Sequence, residues 1–214
     1  MEGDATAIEW DDETFEQALE RVRTQGTIDA KGMRISREQL ERILDAAPED
    51  RDHPGRSLFK HASFEEATFQ GGASFGGARF VHVAFDRARF AGTPDFMGAT
   101  FEKGVSFSEA SAEFGHFDFA HFGAGTRFDR MRIARGARFD RARFGDDTRF
   151  RQTEFGAARF LHAQFGEVAF QGASFGEASF AGSAFAGRPN FRARRSDRPA
   201  LSGRASRVRP HSTR

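Results

Sequence analysis

From residue 59 onward a large apolar side chain returns at every fifth position: Phe59, Phe64 and Phe69, then Phe75, Phe80, Phe85 and Phe90, and again Phe150 through Phe185 without a break. A small residue usually stands two places before each Phe, as in Ala62-Ser63-Phe64 and Ala78-Arg79-Phe80, and Gly or a polar residue usually follows. An amphipathic helix needs a period of about 3.6 and a half-buried strand a period of about 2, so strict fives fit neither. They fit a chain that turns a corner every five residues. Four such units close a square coil in which each Phe points to the axis and lies over the Phe four units later, about 4.8 Å away, the spacing of hydrogen-bonded strands.

The exceptions to the period are informative. Seven gaps carry a sixth residue: 69 to 75, 90 to 96, 101 to 107, 122 to 128, 133 to 139, 144 to 150 and 185 to 191. Counted from Phe59, they follow centres 3, 7, 9, 13, 15, 17 and 25, all odd. On a four-unit coil they therefore fall at two diagonally opposite corners, as bulges stacked in register would. The chain holds 26 centres, Phe at 24 of them and Ala112 and Ile133 at the others. That predicts about 6.5 coils and a length of roughly 31 Å from the strand spacing. Between Phe107 and Phe122 the register is ambiguous, because Phe114 and Phe119 compete with Ala112 and Phe117 for the inward slots. A local bulge that buries both is the expected arrangement; the alternative leaves an exposed pair available for contact.

The unit, a small residue, a polar residue, a central Phe and two further positions, resembles the pentapeptide-repeat family over residues 59 to 191. The resemblance implies an all-β solenoid, a right-handed quadrilateral parallel β-helix, and with it a binding or scaffolding role. Some members of that family are dimeric mimics of duplex DNA that bind type II topoisomerases such as DNA gyrase and protect them from quinolones or related toxins.

The two flanks differ from the body. Residues 11 to 25 read as an amphipathic helix behind Asp11 or Asp12, with Phe15, Ala18, Leu19 and Val22 on one face. Ser36-Arg37-Glu38-Gln39 is a capping box opening a second helix, with Leu40, Ile43 and Leu44 on one side and Pro48 beyond its end. Between them, Ile28 to Ile35 with Gly32 suits a short hairpin. Residues 1–55 are thus expected to form a small α/β module that caps the solenoid's apolar end, or else a separate recognition module; 56–191 form the repeat body. Residues 192–214, Arg-rich with Pro199 and Pro210, read as a basic disordered tail. No helical pattern covers the last coil, which leaves that end for a second copy in a head-on homodimer.

Charge separates the three segments. Residues 1–55 carry 15 acidic and 7 basic side chains, 56–190 carry 17 basic and 15 acidic, and 191–214 carry 8 Arg against Asp197. Mimicry of duplex DNA needs a strongly acidic rod, whereas this body is near +2. A belt of Arg precedes successive centres, Arg127, Arg132, Arg138, Arg143 and Arg149, and is the candidate surface for a polyanion, nucleic acid included. The competing reading makes Asp-Arg neighbours such as Asp86-Arg87 and Asp140-Arg141 solvated charge ladders.

Chemistry is sparse. With no Cys there is no disulfide, thiol nucleophile or Cys-based zinc site, a composition compatible with a reducing cytoplasm. His61, His82, His116, His121 and His162 fall mostly at outward positions; His116 and His121 are five apart, and surface His is preferred to a metal site. No phosphate loop, dinucleotide fingerprint or nucleophile elbow occurs, and Asp146-Asp147 sit at a bulge corner over an interior filled by Phe. The sequence therefore predicts no catalytic residues, no cofactor and no membrane-spanning segment. It points to a protein-interaction scaffold with a protein partner, located in the cytoplasm, with topoisomerase binding or anion binding through the belt and tail as alternatives.

Overall fold

The structure is a computed structural model that describes residues 8–191. The chain is a parallel β-solenoid of about six turns with two helices at its N-terminal end. Helix α1, Asp12–Gln25, is capped by Asp11, whose carboxylate accepts from the Thr14 N–H at 2.8 Å, and ends on Gly26 in the left-handed conformation. It buries Phe15, Ala18, Leu19 and Val22. Helix α2, Arg37–Ala46, starts with the capping box between Ser36 and Gln39 and buries Leu40 and Ile43.

The expected hairpin does not form. Strands β1, Thr27–Asp29, and β2, Arg34–Ser36, do not pair with each other. Instead β1 lies parallel to β3, Leu58–Ser63, and β2 lies parallel to β4, Thr68–Gln70. The turn between them, closed by the Met33 N–H on the Ala30 carbonyl at 3.1 Å with Gly32 at φ 69°, has the form of the solenoid's own turns. Residues 27–36 are therefore a half coil, and Ala30 and Ile35, almost fully buried, continue the inward columns without a Phe.

Four columns of inward side chains run along the axis, one per face. Face two is an unbroken stack, Phe64, Phe85, Phe107, Phe128, Phe150, Phe170 and Phe191, with ring centroids 4.5–5.5 Å apart. Face one runs from Phe59 to Phe185 and face four from Phe75 to Phe180 in the same way. Rings in neighbouring columns meet edge-on, as Phe69 meets Phe75 at 86°, so each quadrupole finds both an offset face and an edge. Small residues two places before the centres, Ala67, Ala78 and Ala88 among them, fill the gaps between columns. Where Thr stands there it is buried too, and Thr126, Thr148 and Thr153 donate to the carbonyls of Gly123, Gly145 and Phe150 at 2.7–2.8 Å. No buried side-chain polar atom among the described residues is left without a partner.

Corner chemistry explains the parity of the long gaps. After every even centre from Phe64 to Phe180 the second following residue has positive φ, Gly77, Gly98, Gly172 and Gly182 among them. The next N–H bonds back to the centre's carbonyl, as Ala88 does to Phe85 at 3.1 Å. This is a type II turn of fixed length. The odd corners have no such constraint. A single strand rounds them where the gap is five, as in β3 and β5, Arg79–Ala84. An inserted residue bulges out where the gap is six, as the register shift between Ile133 and Ala137 shows.

The ambiguous segment resolves in favour of strict fives. Ala112 and Phe117 point inward, while Phe114 and Phe119 are 38% and 54% exposed, so no bulge buries the pair. The small-residue rule decides it: Phe117 would stand two places before an inward Phe119, in a slot that takes Ala. Ala112 is in register with Ile133 of the next coil, and Gly115 lies between it and Phe117. A Cβ on Gly115 would lie 2.7 Å from the Phe117 ring and 3.1 Å from Ile133 Cδ1.

Candidate binding surfaces

The five belt arginines occupy successive faces: Arg127 on face two, Arg132 on three, Arg138 on four, Arg143 on one and Arg149 on two again. Three of them are neutralised. Arg132 pairs with Glu154 at 3.2 Å, Arg138 with Asp118 at 2.7 Å and Arg149 with Asp147 at 2.9 Å. The Arg149 hydrogen bonds hold the Asp147 carboxyl below its ordinary range. Arg127 and Arg143 make no ion pair among the described residues.

Within the repeat body, most charge pairs among the described residues join one coil to the next rather than sequence neighbours. Arg87 reaches Glu66, Arg130 reaches Glu109, and Arg159 reaches Asp140. Carboxylates on face four also accept backbone N–H groups of the following coil: Asp118 takes the Asp140 N–H at 2.9 Å and Asp140 takes the Leu161 N–H at 3.1 Å. Asp-Arg neighbours in the sequence thus serve opposite coils, a pattern that reading along the chain does not reveal.

The strongest polar anchor was not legible at all. Asp50, in the loop after α2, is 2% exposed and accepts both bonds of an Arg79 guanidinium nitrogen at 2.8 and 2.9 Å, with the Asp52 N–H and His53 completing its shell. Burial opposes its ionisation, but the Arg79, Asp52 and His53 hydrogen bonds outweigh it and lower its pKa to about 2. Arg79, on the second coil, also holds Glu102 on the third. The partners lie 29 residues apart, and only the turn-rich Asp50-Arg51-Asp52-His53-Pro54-Gly55 hints at an ordered loop.

The apolar surface is concentrated. Besides the two ends, the exposed large hydrophobic residues among those described are Met97, Phe114 and Phe119. Met97 follows the face-four centre Phe96, and Phe114 and Phe119 border face four at its two corners one coil further on. Arg135 and Arg141 of the next coil lie over the two rings, 5.6 and 5.5 Å from their centroids. Phe114, Gly136 and Ala157 line a shallow groove of about 560 Å³ running on toward Glu177. Phe119 takes the left-handed turn position at φ 59°; the other non-glycine residues there are Glu66, Arg87, Glu109, Arg130, Arg141, Gln152 and His162, all polar.

His116 and His121 go to different faces. The histidine stack that forms is His61 on His82, centroids 4.8 Å apart at 5°, one coil separating them. No group of three or more metal-ligating side chains occurs among the described residues, and no described helix is long and apolar enough to cross a membrane. The expected disordered tail lies outside the described residues.

No curated protein matches the chain. The family model for pentapeptide repeats (9 copies) matches residues 56–96 and 128–174, and the interval between, 97–127, holds Met97, Phe114 and Phe119. Coils of four five-residue units, Phe ladders along the axis and this match give one conclusion: the solenoid belongs to the pentapeptide-repeat family.

Proposed function

We propose that the protein is a non-catalytic scaffold that holds a protein partner against face four. One observation carries this reading: away from the two ends, the only exposed large apolar side chains of the described residues, Met97, Phe114 and Phe119, gather on one face and its two corners. Phe119 is costly there on two counts, apolar exposure and a left-handed backbone, and such cost is characteristic of a contact site. The surrounding Arg135, Arg138 and Arg141 give the patch the aromatic and Arg composition of interface cores. The interior offers no cleft for a reaction, since Phe rings fill it.

Topoisomerase binding by duplex mimicry is the weaker alternative, because Arg138 and Arg159 on face four are paired with Asp118 and Asp140, which leaves the face charge-balanced rather than strongly acidic. Polyanion binding through the belt draws on Arg127 and Arg143 alone, the other three being paired.

The test is affinity capture from a lysate at high salt with the full chain, with a Phe114→Ser/Phe119→Gly variant, and with a Gln152→Ala control on face two. The expected result is one protein retained by the wild type and the control and lost by the double variant. A retained set unchanged by the double variant would contradict the proposal.

A further inference from the structure

A second surface lies at the corner between faces one and two. A groove of about 640 Å³ runs from helix α1 across four coils. Its register is fixed by strand pairing: Thr27, His61 and His82 form one column, and Ser63, Ala84, Ser106 and Arg127 the adjacent one, with Lys103 on the coil after His82. The floor is small, Ser63, Ala84 and Ser106, so the longer side chains form its rim.

Five of those rim groups are basic or can become so: Arg21 from α1, His61, His82, Lys103 and Arg127. All five are exposed, and none makes an ion pair among the described residues. Of the two acidic members of the lining, Glu65 is neutralised by Lys31 at 3.1 Å and Asp29, at the α1 end of the groove, accepts only a backbone N–H, that of Lys31 at 3.2 Å. Asp147, which feels the Arg127 charge, is held by Arg149. Elsewhere coil-to-coil carboxylates neutralise arginines; here the cations are left for something else.

The backbone narrows the choice of ligand. The main-chain groups beneath the groove are consumed between coils, as in Lys103 to Val81, Arg127 to Val105 and Phe85 to Ser106. An acidic peptide therefore finds no strand edge to pair with. What remains is a row of side-chain donors spaced by the coil repeat, which suits a linear anion carrying charge at intervals. Arg and Lys bind phosphate oxygens by charge-assisted hydrogen bonds, and imidazolium adds donors when protonated.

We propose that this groove binds a phosphate-chain anion, with Lys103 and Arg127 as its principal contacts and the His61–His82 stack beside them. The site is independent of the face-four reading and survives its failure.

The test is titration of the full chain with inorganic tripolyphosphate, followed by the imidazole proton NMR signals of His61 and His82, assigned with His61→Gln and His82→Gln. These signals report the groove and not the Arg-rich residues 192–214. Saturable shifts are expected, with a midpoint about tenfold higher in Lys103→Gln/Arg127→Gln, equivalent to about 1.4 kcal/mol. A short oligothymidylate distinguishes the source of the phosphate: a lower midpoint than tripolyphosphate assigns a nucleic-acid backbone, a higher one a free oligophosphate. Unmoved signals with both probes, a midpoint unchanged in the double variant, or equal binding of the compact tricarboxylate citrate would overturn the proposal.

Discussion

The two ends of the solenoid are built from the same repeat and finish differently. At the N-terminal end the first-coil rings Phe59, Phe64 and Phe69 are at most 2% exposed, because the half coil 27–36 stacks on them and α1 and α2 add Phe15, Leu19, Leu40 and Ile43 to one continuous core. At the C-terminal end Phe180 and Phe185 are only partly buried and Phe191 is 38% exposed. The ladder does not close itself. Each ring is protected by the coil on either side, and the terminal coil needs something outside the repeat.

The largest effect expected from this contrast comes from equal truncations at the two ends. Phe59→Ala should cost about 3–5 kcal/mol, the usual range for emptying a filled aromatic site. Phe185→Ala should cost about 1–2 kcal/mol, since its ring is already in partial contact with water. Urea denaturation followed by far-UV circular dichroism measures both, and equal losses would remove the distinction.

The next effect concerns how the N-terminal end is fastened. Asp50 has a pKa lowered to about 2 by its bonds to Arg79 and neighbours. Its contribution to stability is complete above the ordinary Asp value of 3.8 and disappears as pH falls toward 2. Trp10, the only Trp, packs on Phe15 with centroids 5.2 Å apart and reports that end by fluorescence. The wild type should show a change of emission between about pH 4 and pH 2. Asp50→Asn should be less stable at neutral pH and lose the part of that transition that belongs to the carboxylate.

The smallest effect lies between the ends and has the opposite sign. Phe119→Gly removes an aromatic from a left-handed turn position and should stabilise by up to about 1 kcal/mol in thermal unfolding. A destabilised variant would mean that Phe119 earns its place by packing.

How much of this was visible in the sequence follows from what kind of contact made each part. The coil itself was legible because Phe59 to Phe191 repeat a single slot and because the long gaps share one parity. The half coil was not, since Ala30 and Ile35 fill the same columns without Phe and the intervening Gly32 suggested a hairpin. The exposed pair Phe114 and Phe119 was visible as a conflict of register; the Ala slot two places before each centre held the answer. Asp50–Arg79 was hidden because a contact across 29 residues leaves no periodic trace. The groove cations were hidden for a related reason: Arg21, His61, Lys103 and Arg127 meet only once the coils are stacked.

Among the described residues the stack of coils is closed at the N-terminal end and open at the other. Native-state hydrogen exchange of the full chain tests it most directly. Protection is expected to be highest through the first coils, including residues 27–36 and the strand Leu58–Ser63, and to fall steadily toward Ala184–Phe185. Uniform protection to Phe191, or a gradient in the reverse direction, would contradict it.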